Sequence, residues 1–136
     1  MPDVPEIILN RAIAQLLHDR GLAVYVTTGA IPPRGIRLDG IMPLIDEFTL
    51  LTPLRPIPDG RADMTYRTQI YTRRKGSILT ARNWAADLRA ALDQKEYTPA
   101  VLGISWAWEF SGDDYEPDTQ GRSAAVATYY FRGRRP

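Results

Sequence analysis

The chain has 136 residues, of which 44% are apolar, so one domain with a single hydrophobic core is the simplest organisation. Seventeen Lys and Arg against 16 Asp and Glu give a formal net charge of +1, which supplies no general electrostatic drive toward nucleic acid or a membrane surface. Cysteine is missing altogether, and with it disulfides, thiolate nucleophiles and Cys-based zinc sites. No apolar run approaches the roughly 18 residues of a bilayer span, and the opening Met1–Glu6 lacks the basic start of a secretory signal. A soluble, cytosolic protein with no membrane partner is the expectation.

In chain order, Asp3 and Glu6 have capping-box spacing with Pro5 in the first turn. Ile8, Leu9, Ala12, Ile13, Leu16 and Leu17 then recur at helical spacing, and Gly21 is placed to end that helix. Residues 22–26 read as a short strand. Residues 27–40 are rich in Gly and Pro and read as a flexible loop, with a short edge strand over Ile36–Leu38. Glu47–Thr52 reads as a strand. Pro53, Pro56 and Pro58 cannot donate backbone hydrogen bonds, so that stretch belongs at an edge or outside the sheet. Asp59-Gly60 signals a hairpin turn. Beyond it, Met64, Tyr66, Thr68 and Ile70 alternate with Asp63, Thr65, Arg67, Gln69 and Tyr71, as in a long strand with one wet or lumen-facing side. Ser77 can cap a second helix whose apolar stripe is Ile78, Ala81, Trp84, Ala85, Leu88, Ala91 and Leu92, with Arg89 and Asp93 at i,i+4 on its polar side.

The last third reads as two strands joined by an acidic turn. In Val101–Phe110, Leu102, Ile104, Trp106, Trp108 and Phe110 fall on one face, which predicts a strand packed on that aromatic side. The second strand runs from Ser123 to Arg132. The predicted fold is α+β: a mostly antiparallel sheet with two helices packed on one face, in the order α-β-(loop)-β-β-α-β-β, in one domain spanning residues 1–136.

Residues suited to catalysis are sparse. His18, the only histidine, lies on the polar side of the first helix and reads as a surface residue. The serines read as cap, strand and turn residues, and no glycine lies in a phosphate-binding motif. Asp113, Asp114, Glu116 and Asp118 could offer oxygen ligands, but a calcium loop opening at Asp114 would have Thr119 at its sixth position and Ala125 at its twelfth. Both geometry-setting places fail, so a solvated hairpin tip is expected, with no metal and no cofactor. The basic clusters at Arg73–Lys75 and at Arg132, Arg134 and Arg135 read as solvated loop and chain ends. The long Pro/Gly loop and the excess of aromatic strand surface favour an assembly subunit over an enzyme.

The opening helix Ile8–Leu17 with Gly21–Tyr25, the strand Tyr66–Arg73 before the helix Ala85–Leu92, and the closing Asp118–Arg122 turn with the Tyr129-Tyr130 strand stand in an order and spacing that resembles the tail terminators of long-tailed, non-contractile bacteriophages. These are also described as minor capsid or minor tail proteins. The Pro53–Pro58 stretch and the Trp106/Trp108 pair stand outside that pattern. The resemblance implies a subunit of a homohexameric ring at the tail–neck junction of a virion, assembled in the host cytoplasm. Such a ring caps the tail tube, stops its polymerisation, meets the tail tube protein and a head-completion or neck protein, and lets DNA pass in transit. No catalytic residue is implied. Arg67, Gln69, Tyr71 and Arg73, on the polar face of the long strand, are then candidates for a ring contact or the lumen, or else an ordinary solvent-facing strand side. Asp118 and Arg122 are either an intersubunit contact or a local turn salt bridge. The competing readings are another head–tail joining protein, a stopper or an adaptor, and a nucleic-acid-binding protein.

Overall fold

The computed structural model describes residues 3–38, 41–115 and 117–136. Helix α1 (Pro5–Asp19) starts at Pro5, whose missing N–H costs nothing in the first turn, and its N-cap is Val4. Asp3 therefore does not form the capping box that its spacing suggests; its carboxylate pairs with Arg11. Gly21 closes the helix at φ 71°, with its N–H on the His18 carbonyl. The predicted strand at 22–26 reduces to an isolated bridge between Val24 and Gly35. The Leu22 carbonyl is instead taken by the indole N–H of Trp84 at 2.8 Å.

Six strands form one sheet in the order β1-β2-β3-β6-β5-β4. They are β1 (Gly35–Arg37), β2 (Phe48–Asp59), β3 (Asp63–Lys75), β4 (Lys95–Glu96), β5 (Trp106–Tyr115) and β6 (Arg122–Arg134), with helix α2 (Ile78–Leu92) between β3 and β4. The sheet is mixed, where the sequence predicts a mostly antiparallel one: β1 runs parallel to β2, and the other pairs are antiparallel. Parallel neighbours cannot be joined by a tight hairpin, so β1 and β2 do not form the antiparallel pair that the sequence suggests. Asp39 and Gly40, between β1 and β2, and Glu116 of the acidic turn lie outside the described residues.

Strand β2 extends straight through its prolines to Asp59. That is possible because β1 pairs only with Phe48–Leu50, which leaves the far side of β2 as a sheet edge among the described residues. The register against β3 shifts between Leu54 and Ile57, at Pro56. Prolines on an unpaired edge also remove the donors with which a foreign strand could pair.

The core lies on the even-numbered side of β3. Tyr66, Thr68, Ile70 and Thr72 are buried there, opposite Phe131, Tyr129, Ala127 and Ala125 of β6. Leu9, Ile13, Ala14 and Leu17 of α1 and Trp84, Leu88, Ala91 and Leu92 of α2 join them in one cluster. Asn10 of α1 accepts the Thr68 hydroxyl at 2.7 Å, and Ala85 and Leu88 of α2 share a small hollow with Ile70 and Thr72, so both helices meet this side of β3. Each fully buried large side chain contributes about 1.5–3 kcal/mol of transfer free energy. The stripe read for α2 matches its buried positions at Ala81, Trp84, Leu88, Ala91 and Leu92. Arg89 does not pair with Asp93: it reaches Glu109 at 3.7 Å, and Asp93 accepts the Glu109 N–H at 2.7 Å.

The terminal strand pair departs most from the sequence reading. Val101–Ser105 is a turn, with Leu102 and Gly103 at φ 56° and 61°, and β5 begins only at Trp106. Gly133 permits this turn, since a Cβ there would lie 2.7 Å from the Leu102 carbonyl. The alternation also points the other way from the predicted aromatic core. Ala107 is fully buried, while Trp106 is 38% and Phe110 60% exposed. Register explains the inversion. Tyr129 and Phe131 of β6 face the core, and Ala107 lies opposite Phe131. Trp106 and Trp108 must then face outward with Arg132 and Tyr130.

Candidate assembly surface

The second face of the sheet, away from the helices, is covered at one corner and open at the diagonal one. The covered corner is the end of β2 and β3 at Phe48 and Arg73, where residues 41–47 fold across. Arg73 reaches this face because it is an odd-numbered residue of β3. Its guanidinium donates to the Ile45 carbonyl at 2.6 Å, and to those of Pro43 and Asp46 at 3.4 Å. The same group lies 4.5 Å from the centre of the Phe48 ring. Burial lowers its pKa, with repulsion from Arg122 adding to the effect. Arg74 holds Glu47 at 2.7 Å, Arg122 stands 3.8 Å from Asp46, and the Arg34 N–H bonds the Glu47 carbonyl. The backbone of this segment is thus fastened while its side chains project: Ile41 is 57%, Met42 48% and Leu44 97% exposed.

The open corner belongs to β5 and β6. Phe110 stacks on Tyr130 with centroids 4.4 Å apart and planes 8° from parallel, and Trp108 meets the same ring edge-on at 5.6 Å. A register shift between Glu109 and Ser111 makes room for Phe110 as the extra residue. Trp106 extends the cluster opposite Arg132, whose guanidinium lies 3.3 Å from Asp59 and 3.5 Å from Asp63.

The residues singled out from the sequence divide between these corners and the space between them. Arg67 lies on the second face and donates through Nε and Nη2 to the Arg55 carbonyl at 2.9 and 2.7 Å. Gln69 lines a shallow hollow with Ser111 and Thr128. Tyr71 sits between Phe48 and Tyr115, at 5.8 and 5.9 Å; burial raises its pKa and neighbouring Arg73 opposes that. Arg73 is itself only 8% exposed, so within the subunit it works as the clamp of residues 41–47 and offers little surface to a lumen. Asp118 forms a local turn. It accepts Arg122 Nε at 2.8 Å and the N–H groups of Gln120 and Arg122, and these bonds hold its carboxyl below its ordinary range.

Asp113 and Asp114 also have separate occupations: Asp113 accepts the Asp114 N–H, and Asp114 pairs with Arg82 of α2 at 2.7 Å. Arg82, Arg89, Glu109 and Asp114 line a groove of about 620 Å³ between α2 and the strands. Burial raises the Glu109 pKa, and Arg89 pulls it down. His18 is exposed, and its Nδ1 accepts the Tyr25 N–H at 3.1 Å.

Sequence reasoning missed the exposure of Trp106 and Phe110, and of Ile41, Met42 and Leu44. The available signal was Ala107, whose small side chain suits the tightly packed side of β5 opposite Phe131.

No family model and no curated protein matches the chain. Among solved structures, one chain of the virion of a native gene transfer agent (GTA) particle is similar, with a TM-score of 0.65 and 18% sequence identity. The match covers 93% of this chain and 95% of that one, so the two share a fold over nearly their whole length.

Proposed function

We propose that this chain is a structural virion protein without catalytic function: a ring-forming tail terminator that caps the tail tube, stops its polymerisation and joins the tail to the head-completion proteins. The observation that carries this reading is the likeness of its fold, over almost the whole chain, to a chain of the GTA virion. The exposed aromatic corner supports it, because a sheet face bearing Trp106, Phe110 and Tyr130 is surface that a partner can cover. The resemblance of the sequence to tail terminators supplies the finer role, the sixfold ring and the position at the tail–neck junction. The partners are further copies of the chain, the tail tube protein and a neck protein, with DNA only in transit. Such a task needs two unlike ring faces and a lateral contact, and no cofactor.

The test is tail-tube assembly with and without this protein, followed by negative-stain microscopy. Tubes of restricted length, each ended by a ring, are expected. Tubes with bare ends and an unchanged length distribution, alongside a protein that stays monomeric at every concentration, would refute the role. Rings found only on portal-side complexes would reassign the chain to a stopper or adaptor.

A further inference from the structure

We propose that the end of the sheet at the β2–β3 turn binds the phosphate backbone of duplex DNA through Arg61, Arg134 and Arg135, with Arg55 at its margin. The inference rests on the ring-forming reading above for its choice of polyanion, and it names where DNA in transit meets the protein.

The central ladder brings these residues together. Arg61 stands in the turn between β2 and β3. Arg134 lies opposite Asp63, the first residue of β3. Arg135 fastens itself to the turn on both sides of Arg61. Its N–H donates to the Ala62 carbonyl at 2.9 Å, and its Nε and Nη2 donate to the Gly60 carbonyl at 3.1 and 2.9 Å. Arg55 stands four residues before Asp59 in β2, about 13 Å along the strand at ~3.3 Å per residue. All four arginines are exposed.

Their charge is not spent within the subunit. The aspartates of this end, Asp59 and Asp63, are both taken by Arg132, at 3.3 and 3.5 Å. Glu6 of α1 acts on the same Tyr66 hydroxyl as Arg135 but forms no ion pair with it. Among the described residues no carboxylate pairs with Arg55, Arg61, Arg134 or Arg135. The far end of the ladder differs: there Asp114 holds Arg82 and Asp118 holds Arg122. Arg134 is anchored by its main chain alone, through its N–H on the Leu102 carbonyl and its own carbonyl under the Tyr66 hydroxyl, so its guanidinium is positioned and free.

Phosphate suits this surface better than a protein strand does. Each of the four is an arginine, whose planar fork matches a phosphate and keeps its proton. Pro53, Pro56 and Pro58 remove backbone donors from the neighbouring edge of β2, so a foreign strand pairs poorly there. Duplex DNA presents one charge per ~1.7 Å of axis, and a patch about 13 Å long meets several at once. Contacts to phosphate carry no sequence information, as passage of a whole genome requires.

Fluorescence anisotropy of a labelled duplex of mixed sequence tests the site on the purified chain. Affinity should fall with salt at a log–log slope of about −3, from about 0.9 per phosphate contacted. Arg61→Gln with Arg134→Gln removes two side chains that make no described polar contact. This double variant should keep its circular dichroism, bind about tenfold more weakly and bring the slope about 2 closer to zero. The charge-matched pair Arg20→Gln with Lys75→Gln should bind like the wild type. Equal weakening by both pairs would reflect net charge alone and overturn the site. So would a wild-type chain that leaves the duplex free at low salt. Displacement of the duplex by polyglutamate at equal charge also overturns it, because the patch would then serve an acidic protein segment. Tube capping separates this inference from the ring-forming role. The arginine double variant should still cap tubes; if it stays folded and does not, these arginines make a protein contact and the DNA assignment fails. A wild-type chain that binds the duplex but caps no tube removes the ring and leaves the site standing.

Discussion

Replacing Arg73 by Met tests the clamp on residues 41–47. The Ile45 carbonyl loses a charge-assisted bond of 2.6 Å, worth about 1.5–3 kcal/mol. The two bonds at 3.4 Å stand at the geometric limit and add little. Loss of the guanidinium over the Phe48 ring removes about 0.5–1 kcal/mol more. Against this, Met keeps the packing of the aliphatic stem and spares the burial of a cation, and the vacated carbonyls regain water once the segment lifts. The balance is a loss of about 2 kcal/mol, or roughly 6–8 °C in Tm for a domain of this size. The loss should be local. Thermolysin cleavage before Leu44 or Ile45 requires that the segment open, and about 2 kcal/mol raises the open population ~30-fold. The assay pairs a thermal melt with the rate of cleavage at these bonds. If Tm falls while cleavage there stays at the wild-type rate, Arg73 supports the sheet and not the segment, and the reasoning fails.

Other substitutions report on the core and on two carboxylates. Thr68→Val strips Asn10, already left with an unpartnered Nδ2 among the described residues, of its remaining bond and should cost about 1–3 kcal/mol; adding Asn10→Leu should recover much of it, read from denaturant midpoints as a non-additive cycle. Trp84→Phe loses the indole bond to Leu22 and weakens the stacking of Arg34 and Arg74 on that ring, a predicted loss of about 1–3 kcal/mol in chemical denaturation. Glu109 has a raised folded pKa, so the folded state holds more protons than the unfolded one between the ordinary and raised values. Stability should therefore fall as pH rises through that window, and Glu109→Gln should flatten that part of the Tm profile. Asp118 has a lowered pKa. Its contribution is full above the ordinary value and disappears as pH falls through the lowered one, so the Tm gap between wild type and Asp118→Asn should close toward acid.

The sequence was most legible where local periodicity and burial coincide. The stripes of α1 and α2 and the alternation of Met64–Ile70 in β3 each follow from which side chains must leave water, and Gly21 marks a helix end that only a left-handed residue closes easily. Legibility failed where distant pairing decides. The alternation of Val101–Phe110 is real as a pattern, but it holds no information about Tyr129 and Phe131, and these fix which side of β5 faces the core. The prolines of β2 argue against a strand only if both its sides are paired, and the shortness of β1 leaves one side free. Of the candidate site, Asp118 and Arg122 proved to be partners within one turn, while Arg73 was drawn inward by carbonyls of a loop that no local pattern could place over it.

Strand β6 pairs with β3 without interruption, from Asp63 with Arg134 to Lys75 with Arg122. β6 follows the other five strands in the chain yet lies inside the sheet, and α2, β4 and β5 are threaded between the two halves of this central ladder. During synthesis α1, β2 and β3 must wait, with Tyr66 and Ile70 uncovered by Phe131 and Ala127, until residue 134 has left the ribosome. High contact order of this kind slows folding and lengthens the time for which apolar strands are exposed. A nascent chain arrested anywhere before β6 lacks the centre of its sheet, so topology alone keeps truncated products of translation from reaching the native fold.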